Sequence, residues 1–172
     1  MQLDLGGIAQ GYIAQKIIDF LRTQNINHAL VNVSGDIVMS DAPPGAKGWT
    51  VGINVPKTTD ELLPQKLLLH NMAVTTSGDA YQFMEHNGKR YSHIIDPRTG
   101  YGVISQRNVT VIANDGTTAD WLATACSILS IKKTKKLAAK MNAVVLITEN
   151  KNGTIKFYSS KDFARYFKQT AQ

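Results

Sequence analysis

Apolar and polar residues recur along this chain with two periods, and each change of period marks an element. Over residues 8–24 the spacing is helical, with Tyr12, Ile13, Ile17, Phe20 and Leu21 as the apolar face and Lys16, Asp19, Arg22 and Thr23 largely off it. Short apolar or alternating stretches then predict strands over 29–33, 37–38, 49–55, 67–69 and 72–75. Residues 80–85 and 89–95 flank Asn87-Gly88, the strongest short hairpin signal, and 108–113 alternates Val with Thr. A second helix opens at Thr117 and carries Trp121, Leu122, Ala125, Ile128 and Leu129 on one broad face. A lysine-rich segment, a short helix over 137–141, strands over 143–148 and 154–158 joined by a turn at 150–153, and a closing helical turn over 161–167 complete the pattern. Strands and helices do not alternate regularly. The expected fold class is therefore α+β, a mixed and largely antiparallel sheet packed with helices.

Composition narrows this picture only in places. A chain of 172 residues, 43% of them hydrophobic, can bury one core, so 1–172 is read as a single domain. With 19 Lys and Arg against 13 Asp and Glu, the charge of +6 favours an anionic partner, whether a polyanion, an acidic surface or a phosphate-bearing small molecule. Lys132, Lys133, Lys135, Lys136 and Lys140 cluster without interleaved aromatics and read as a solvated helix face, so no nucleic-acid partner is expected. The lone Cys126 leaves no internal disulfide or multi-cysteine metal site, and its apolar surroundings predict burial. No apolar run is long enough to span a bilayer. The chain opens almost directly on its first motif, Leu3-Asp4-Leu5-Gly6-Gly7, and is expected to lack the N-terminal part of a longer protein.

Chemistry concentrates in five places. In Tyr91-Ser92-His93-Ile94-Ile95-Asp96-Pro97-Arg98-Thr99-Gly100, a proline that disfavours helix before it and a glycine free to take positive φ are expected to end a strand and leave His93 and Asp96 at its tip. The same residues also read as an ordinary strand with a polar end. The Gly6-Gly7 pair precedes a helix, where free backbone N–H groups favour anions, and Gly11 inside that helix implies close packing or close ligand approach. Ser34-Gly35-Asp36 and Thr75-Thr76-Ser77-Gly78-Asp79 each combine hydroxyls, glycine and a carboxylate, as polar turns also do. On the second helix Asp120, Thr124 and Ser127 fall at i, i+4 and i+7. Thr117 as N-cap with Asp120 as its capping-box partner explains the carboxylate structurally, while a carboxylate and a hydroxyl one turn apart also match a Mg²⁺ site. The two readings are compatible.

Together, Asp4-Leu5-Gly6-Gly7-Ile8-Ala9-Gln10-Gly11-Tyr12, Ser34-Gly35-Asp36, Thr76-Ser77-Gly78-Asp79, His93-Ile94-Ile95-Asp96-Pro97-Arg98-Thr99-Gly100 and Thr118-Ala119-Asp120-Trp121-Leu122-Ala123-Thr124-Ala125 resemble, in order and spacing, the FAD:protein FMN transferase (ApbE) family, formerly described as thiamine-biosynthesis lipoproteins. The resemblance implies Mg²⁺-dependent transfer of FMN from FAD, as substrate, to a Ser or Thr of a target flavoprotein, with release of AMP. Similar proteins hydrolyse FAD to FMN and AMP, and a non-catalytic flavin-binding module is a third reading. By the same resemblance Asp120, Thr124 and the carbonyl of Gly7 are metal ligands, Asp4, Gln10 and Ile94 contact FAD, and His93 is catalytic. Imidazole suits proton transfer at neutral pH, and phosphoryl transfer asks mainly for positioning and electrostatics. Gln10 stands where many members carry Lys. The resemblance covers a C-terminal portion of the family fold, with the N-terminal, isoalloxazine-contacting portion absent. It also implies an exported, membrane-anchored or periplasmic protein whose lipid anchor lies outside these residues.

Overall fold

The period-two segments assemble into a six-stranded antiparallel sheet in a computed structural model that describes residues 4–56, 62–78 and 83–169. Its strands are β1 (Leu30–Val33), β2 (Asp36–Met39), β5 (Met72–Ser77), β10 (Arg107–Ala113), β11 (Val144–Lys151) and β12 (Thr154–Ser159), in the order β1-β2-β5-β10-β11-β12. The predicted α+β class with a largely antiparallel sheet is what forms. Between them in the chain lie β3 (Trp49–Val51), paired with β4 (Leu67–Leu69), β6 (Phe83–His86), paired with β7 (Lys89–Ser92), and β8 (Ile95–Asp96), paired with β9 (Tyr101–Gly102). The helices are α1 (Ala9–Thr23), α2 (Gly116–Ile128) and α3 (Ile131–Lys140), with a 3-10 turn at Phe163–Tyr166.

Alternation along the strands sends each sheet face to a different core. Val38, Ala73, Val109, Val111, Val145 and Ile147 meet Ala14 and Ile18 of α1 and Ala119, Leu122, Ala123 and Cys126 of α2. On the other face Met39, Val74, Ile112 and Leu146 pack under the β3–β4 ribbon and Phe163. The neighbouring segments 67–69 and 72–75, expected as two separate short strands, thus belong to different sheets, separated by a turn at Asn71 with φ 50°. The hairpin predicted at Asn87-Gly88 forms, both residues having positive φ, although residues 80–82 of its predicted first strand lie outside the described residues. Asn152 and Gly153 turn β11 into β12 in the same way.

Three expectations are corrected. The buried face of α1 is Gly11, Ala14 and Ile18, while Tyr12, Ile13, Ile17 and Phe20 are exposed. The helix expected over 137–141 starts at Ile131 and takes in the lysine-rich segment read above as a solvated helix face, because Ser130 caps α3 by accepting from Lys133 N–H at 3.4 Å. The strand expected over 89–95 breaks after Ser92, where the Ser92 hydroxyl accepts from the Ile94 N–H at 3.1 Å. Ser92 N–H and Ile94 C=O are instead paired with Val103.

The crossing of α1 and α2 explains the first correction. Gly11 and Gly116 face each other, backbone against backbone. A Cβ added at Gly11 would collide with the Gly116 carbonyl and come within 2.6 Å of Asp120 Cβ, and one added at Gly116 would come within 2.6 Å of Val38 Cγ2. Close approach selects the small-residue side of α1, whatever the hydrophobicity of its other side. In Gly11→Ala the gain of about 1 kcal/mol in helix propensity is outweighed by overpacking of roughly 1–3 kcal/mol and by displacement of Asp120. We expect urea unfolding of Gly11→Ala to show a net loss of about 2 kcal/mol, and of Lys16→Ala on the exposed side a change within about 0.5 kcal/mol.

Candidate functional site

The first turn of any α-helix leaves backbone N–H groups without intrahelical partners, and the N-cap of α1 is Ile8, whose side chain cannot accept a hydrogen bond. The acceptor comes from the other helix. Asp120 Oδ2 accepts from the Gly11 N–H at 2.9 Å, and the Gln10 N–H also hydrogen-bonds this carboxyl group. In return Gln15 Oε1 of α1 accepts from the Gly116 N–H at the start of α2, at 2.9 Å. Each helix start is capped by the other helix. This replaces the capping box predicted within α2, whose own N-cap is Asp115, accepting from Thr118 N–H at 2.8 Å. Asp120 does act as a cap, but for α1.

The carboxyl group of Asp120 is therefore held at the positive end of α1, and is 4% exposed. Burial raises its pKa above the ordinary carboxylate value, an effect the Gly11 and Gln10 N–H groups oppose. One turn along α2, Thr124 lies against the Gly6-Gly7 turn: a Cβ on Gly7 would stand 3.0 Å from Thr124 Cγ2 and 3.3 Å from its Oγ1. Asp4 shapes that turn, its Oδ1 accepting from Gly6 N–H at 2.7 Å. Gly7, Asp120 and Thr124, widely separated in sequence, are thus neighbours. Carboxylate, hydroxyl and nearby backbone carbonyls make an all-oxygen donor set of the kind a hard divalent cation takes. Among the described residues no group of three or more His, Cys, Asp or Glu could hold a metal, so sites built on such clusters find no support there.

A second buried carboxyl group stands close by. Asp36, 5% exposed at the start of β2, shares the helix-facing side of its strand with Val38, and its Oδ1 accepts from the Thr75 hydroxyl of β5 at 2.6 Å. Burial pushes its pKa up to about 6, with the charge of Asp120 adding to the rise and the Thr75 hydrogen bond opposing it. Asp36 and Thr75 fall within recognised motifs but are missing from the predicted site set. The available signal was strand alternation, which puts a carboxylate at i on the same face as the apolar Val38 at i+2.

Other predicted residues extend the site along α2. Ile94, 8% exposed, lines a small cavity of about 10 Å³ with Gly78, Ser92, Ser105, Arg107 and Ser127. Ser127 lies two turns beyond Asp120, roughly 10 Å along a helix axis at 1.5 Å per residue. Arg107 fixes that end by donating to Leu129 C=O at 3.1 Å and to Glu149 Oε1 at 3.0 Å. His93, between Ser92 and Ile94, is exposed, as are Gln10 and Asp4. Asp96 pairs with Arg98 at 2.6 Å, which holds its carboxyl group down at about 2, and its carbonyl accepts from Thr99 and Gly100 N–H. It is a turn former, as its Pro-Arg-Thr-Gly context predicts. Asp79 lies outside the described residues.

Asp36 has a consequence for stability. Its folded pKa of about 6 exceeds the unfolded 3.8, so its contribution to stability is fully present below about pH 4 and is lost as pH rises through 6. A shift of this size corresponds to a penalty on the order of 3 kcal/mol at pH 7. In chelator-containing buffer, Asp36→Asn is expected to raise Tm relative to wild type by several degrees at pH 7 and to change it little at pH 4. Equal differences at both pH values would contradict the assignment.

The model of the ApbE family matches residues 1–147. A protein of Klebsiella pneumoniae named FAD:protein FMN transferase is 37% identical over 134 residues, 77% of this chain and 40% of that protein. One of the same name from Haemophilus influenzae is 35% identical over 161 residues, 92% of this chain and 46% of that one. Among solved structures, the ApbE protein of Thermotoga maritima aligns with a TM-score of 0.84 at 31% identity, over 98% of this chain and 54% of its own. The flavin transferase ApbE of Vibrio cholerae aligns with a TM-score of 0.81 at 28% identity, over 95% and 52%. The chain spans about half the length of these relatives. With sequence and backbone agreeing over most of its residues, the chain belongs to the ApbE family.

Proposed function

We propose that this chain is the C-terminal, cation-bearing portion of an FAD:protein FMN transferase, which moves FMN from FAD to a Ser or Thr hydroxyl of a target flavoprotein and releases AMP. The observation that carries the reading is the meeting of Gly7, Asp120 and Thr124 at the N-terminus of α1. The names of its relatives support the reaction class. Asp120, Thr124 and the Gly7 carbonyl would hold Mg²⁺, which when bound supplies positive charge against a diphosphate and its developing anion. Gln10 and Asp4 stand exposed beside the start of α1. Ile94 is proposed to contact FAD from the cavity it lines with Ser127.

In the transfer itself the acceptor hydroxyl oxygen bonds to the phosphorus of the FMN moiety as the anhydride bond to AMP breaks. AMP leaves with the bridging oxygen. His93 receives the hydroxyl proton, and its exposure leaves it open to an incoming protein side chain. It is equally open to water, which would make the product free FMN. The reading extends to place and partners: an extracytoplasmic protein, membrane-anchored or periplasmic, with any lipid anchor outside these residues.

The test incubates the full protein with FAD, Mg²⁺ and a target flavoprotein, following AMP release and the target's mass. AMP with a gain of one FMN per target is expected. His93→Ala should lower the rate roughly 10²–10⁴-fold, and Asp120→Ala should abolish it. Free FMN without modified target would mean FAD hydrolysis, tight FAD retention without AMP would mean a binding module, and full activity in either variant would overturn its role.

A further inference from the structure

We propose that Asp36, held in place by Thr75, is a positioning residue that sets the strength of the cation site at Asp120, acting from β2 without belonging to the ligand set. The inference rests on the cation site proposed above. Four observations carry it. Asp36 and Thr75 stand on neighbouring strands, β2 and β5, and are locked together by a 2.6 Å hydrogen bond between side chains that are each 5% exposed. The strand face they share packs on the α1–α2 crossing, where Gly116 comes up against Val38, two residues along from Asp36. Asp120 is close enough for its charge to be felt at Asp36. Neither carboxyl group forms an ion pair with a cationic side chain among the described residues, whereas Glu149 and Asp96 both do.

Two carboxyl groups in one desolvated place repel each other when both are ionised, and without a cation the fold bears that cost. A divalent cation at Asp120 reverses the balance: the second negative charge then attracts it through surroundings that screen poorly. Thr75 matters because its hydroxyl fixes which way the Asp36 carboxylate points. The arrangement predicts opposite effects of one substitution on two measurements. Removing the Asp36 charge should weaken cation binding while leaving the cation-free fold as stable or more so.

Mn²⁺ binding to the full chain, followed by the EPR signal of the free ion, tests this directly, with Tm recorded for each protein in chelator at the same pH. Wild type is expected to bind one Mn²⁺ and Asp120→Ala none. Asp36→Asn should raise the Kd roughly 10-fold, within the range found for residues that support metal ligands, with no fall in Tm. Thr75→Val should weaken binding and Thr75→Ser restore it, a pair that remains informative if Asp36→Asn folds poorly. Wild-type affinity in both Asp36→Asn and Thr75→Val, with Asp120→Ala still defective, overturns the role of Asp36 and leaves the cation site standing. Affinity that falls only together with Tm, without rescue by Thr75→Ser, overturns it in favour of a structural role. Absence of Mn²⁺ binding by wild type, or unchanged binding by Asp120→Ala, overturns the cation site and this inference with it.

Discussion

The exchange of caps between two helices is the interaction on which the rest of the site depends. Asp120 of α2 receives the free N–H groups of α1, and Gln15 of α1 receives the first N–H of α2. Neither bond could form at an ordinary helix separation. Gly11 and Gly116 allow the backbones to touch, and no side chain larger than hydrogen fits at either position without a shift. Because the helices cross in opposite directions, one contact fixes the depth, rotation and register of both against the sheet. It also brings the Gly6-Gly7 turn against Thr124. A site made from residues more than a hundred positions apart thus follows from two glycines and two caps.

The same crossing collects negative charge where a fold alone would avoid it. Asp120 is partly compensated by the N–H groups and dipole of α1, but among the described residues Asp36 has only the Thr75 hydroxyl, and burial dominates its titration. Buried carboxyl groups without cationic partners are costly, and stability at that level gives no account of why both are present. The cation proposed at Asp120 would. On that proposal stability and binding pull in opposite directions at this point, as is usual where a local rule of folding is broken.

What the sequence revealed was uneven, and the unevenness has physical causes. Strand alternation, the Asn-Gly turns and the mixed order of elements led directly to the α+β class, because these are local signals. The face of α1 was misread, since periodicity weights the large residues Tyr12, Ile13, Ile17 and Phe20, whereas the packing was decided by Gly11. The capping signature around Asp120 was read within its own helix because a cap supplied by another helix has no fixed spacing in sequence. Asp36 escaped the site set for a related reason: its burial depends on β2 lying beneath two helices, a tertiary fact. His93 falls just beyond β7 rather than within the expected strand, because the break at Ser92 is made by a side-chain hydrogen bond that composition does not announce.

The central claim is that the Asp120 carboxylate caps α1, and amide hydrogen exchange at Gly11 measures this most directly. Loss of a hydrogen bond to a charged acceptor costs about 1.5–3 kcal/mol, roughly a 10- to 100-fold faster exchange. In Asp120→Ala the Gly11 and Gln10 amides should exchange faster by that factor, while Ala14 in the helix interior stays as protected as in wild type. Unchanged protection at Gly11 would contradict the account, because the first turn of α1 would then hold its N–H groups without Asp120.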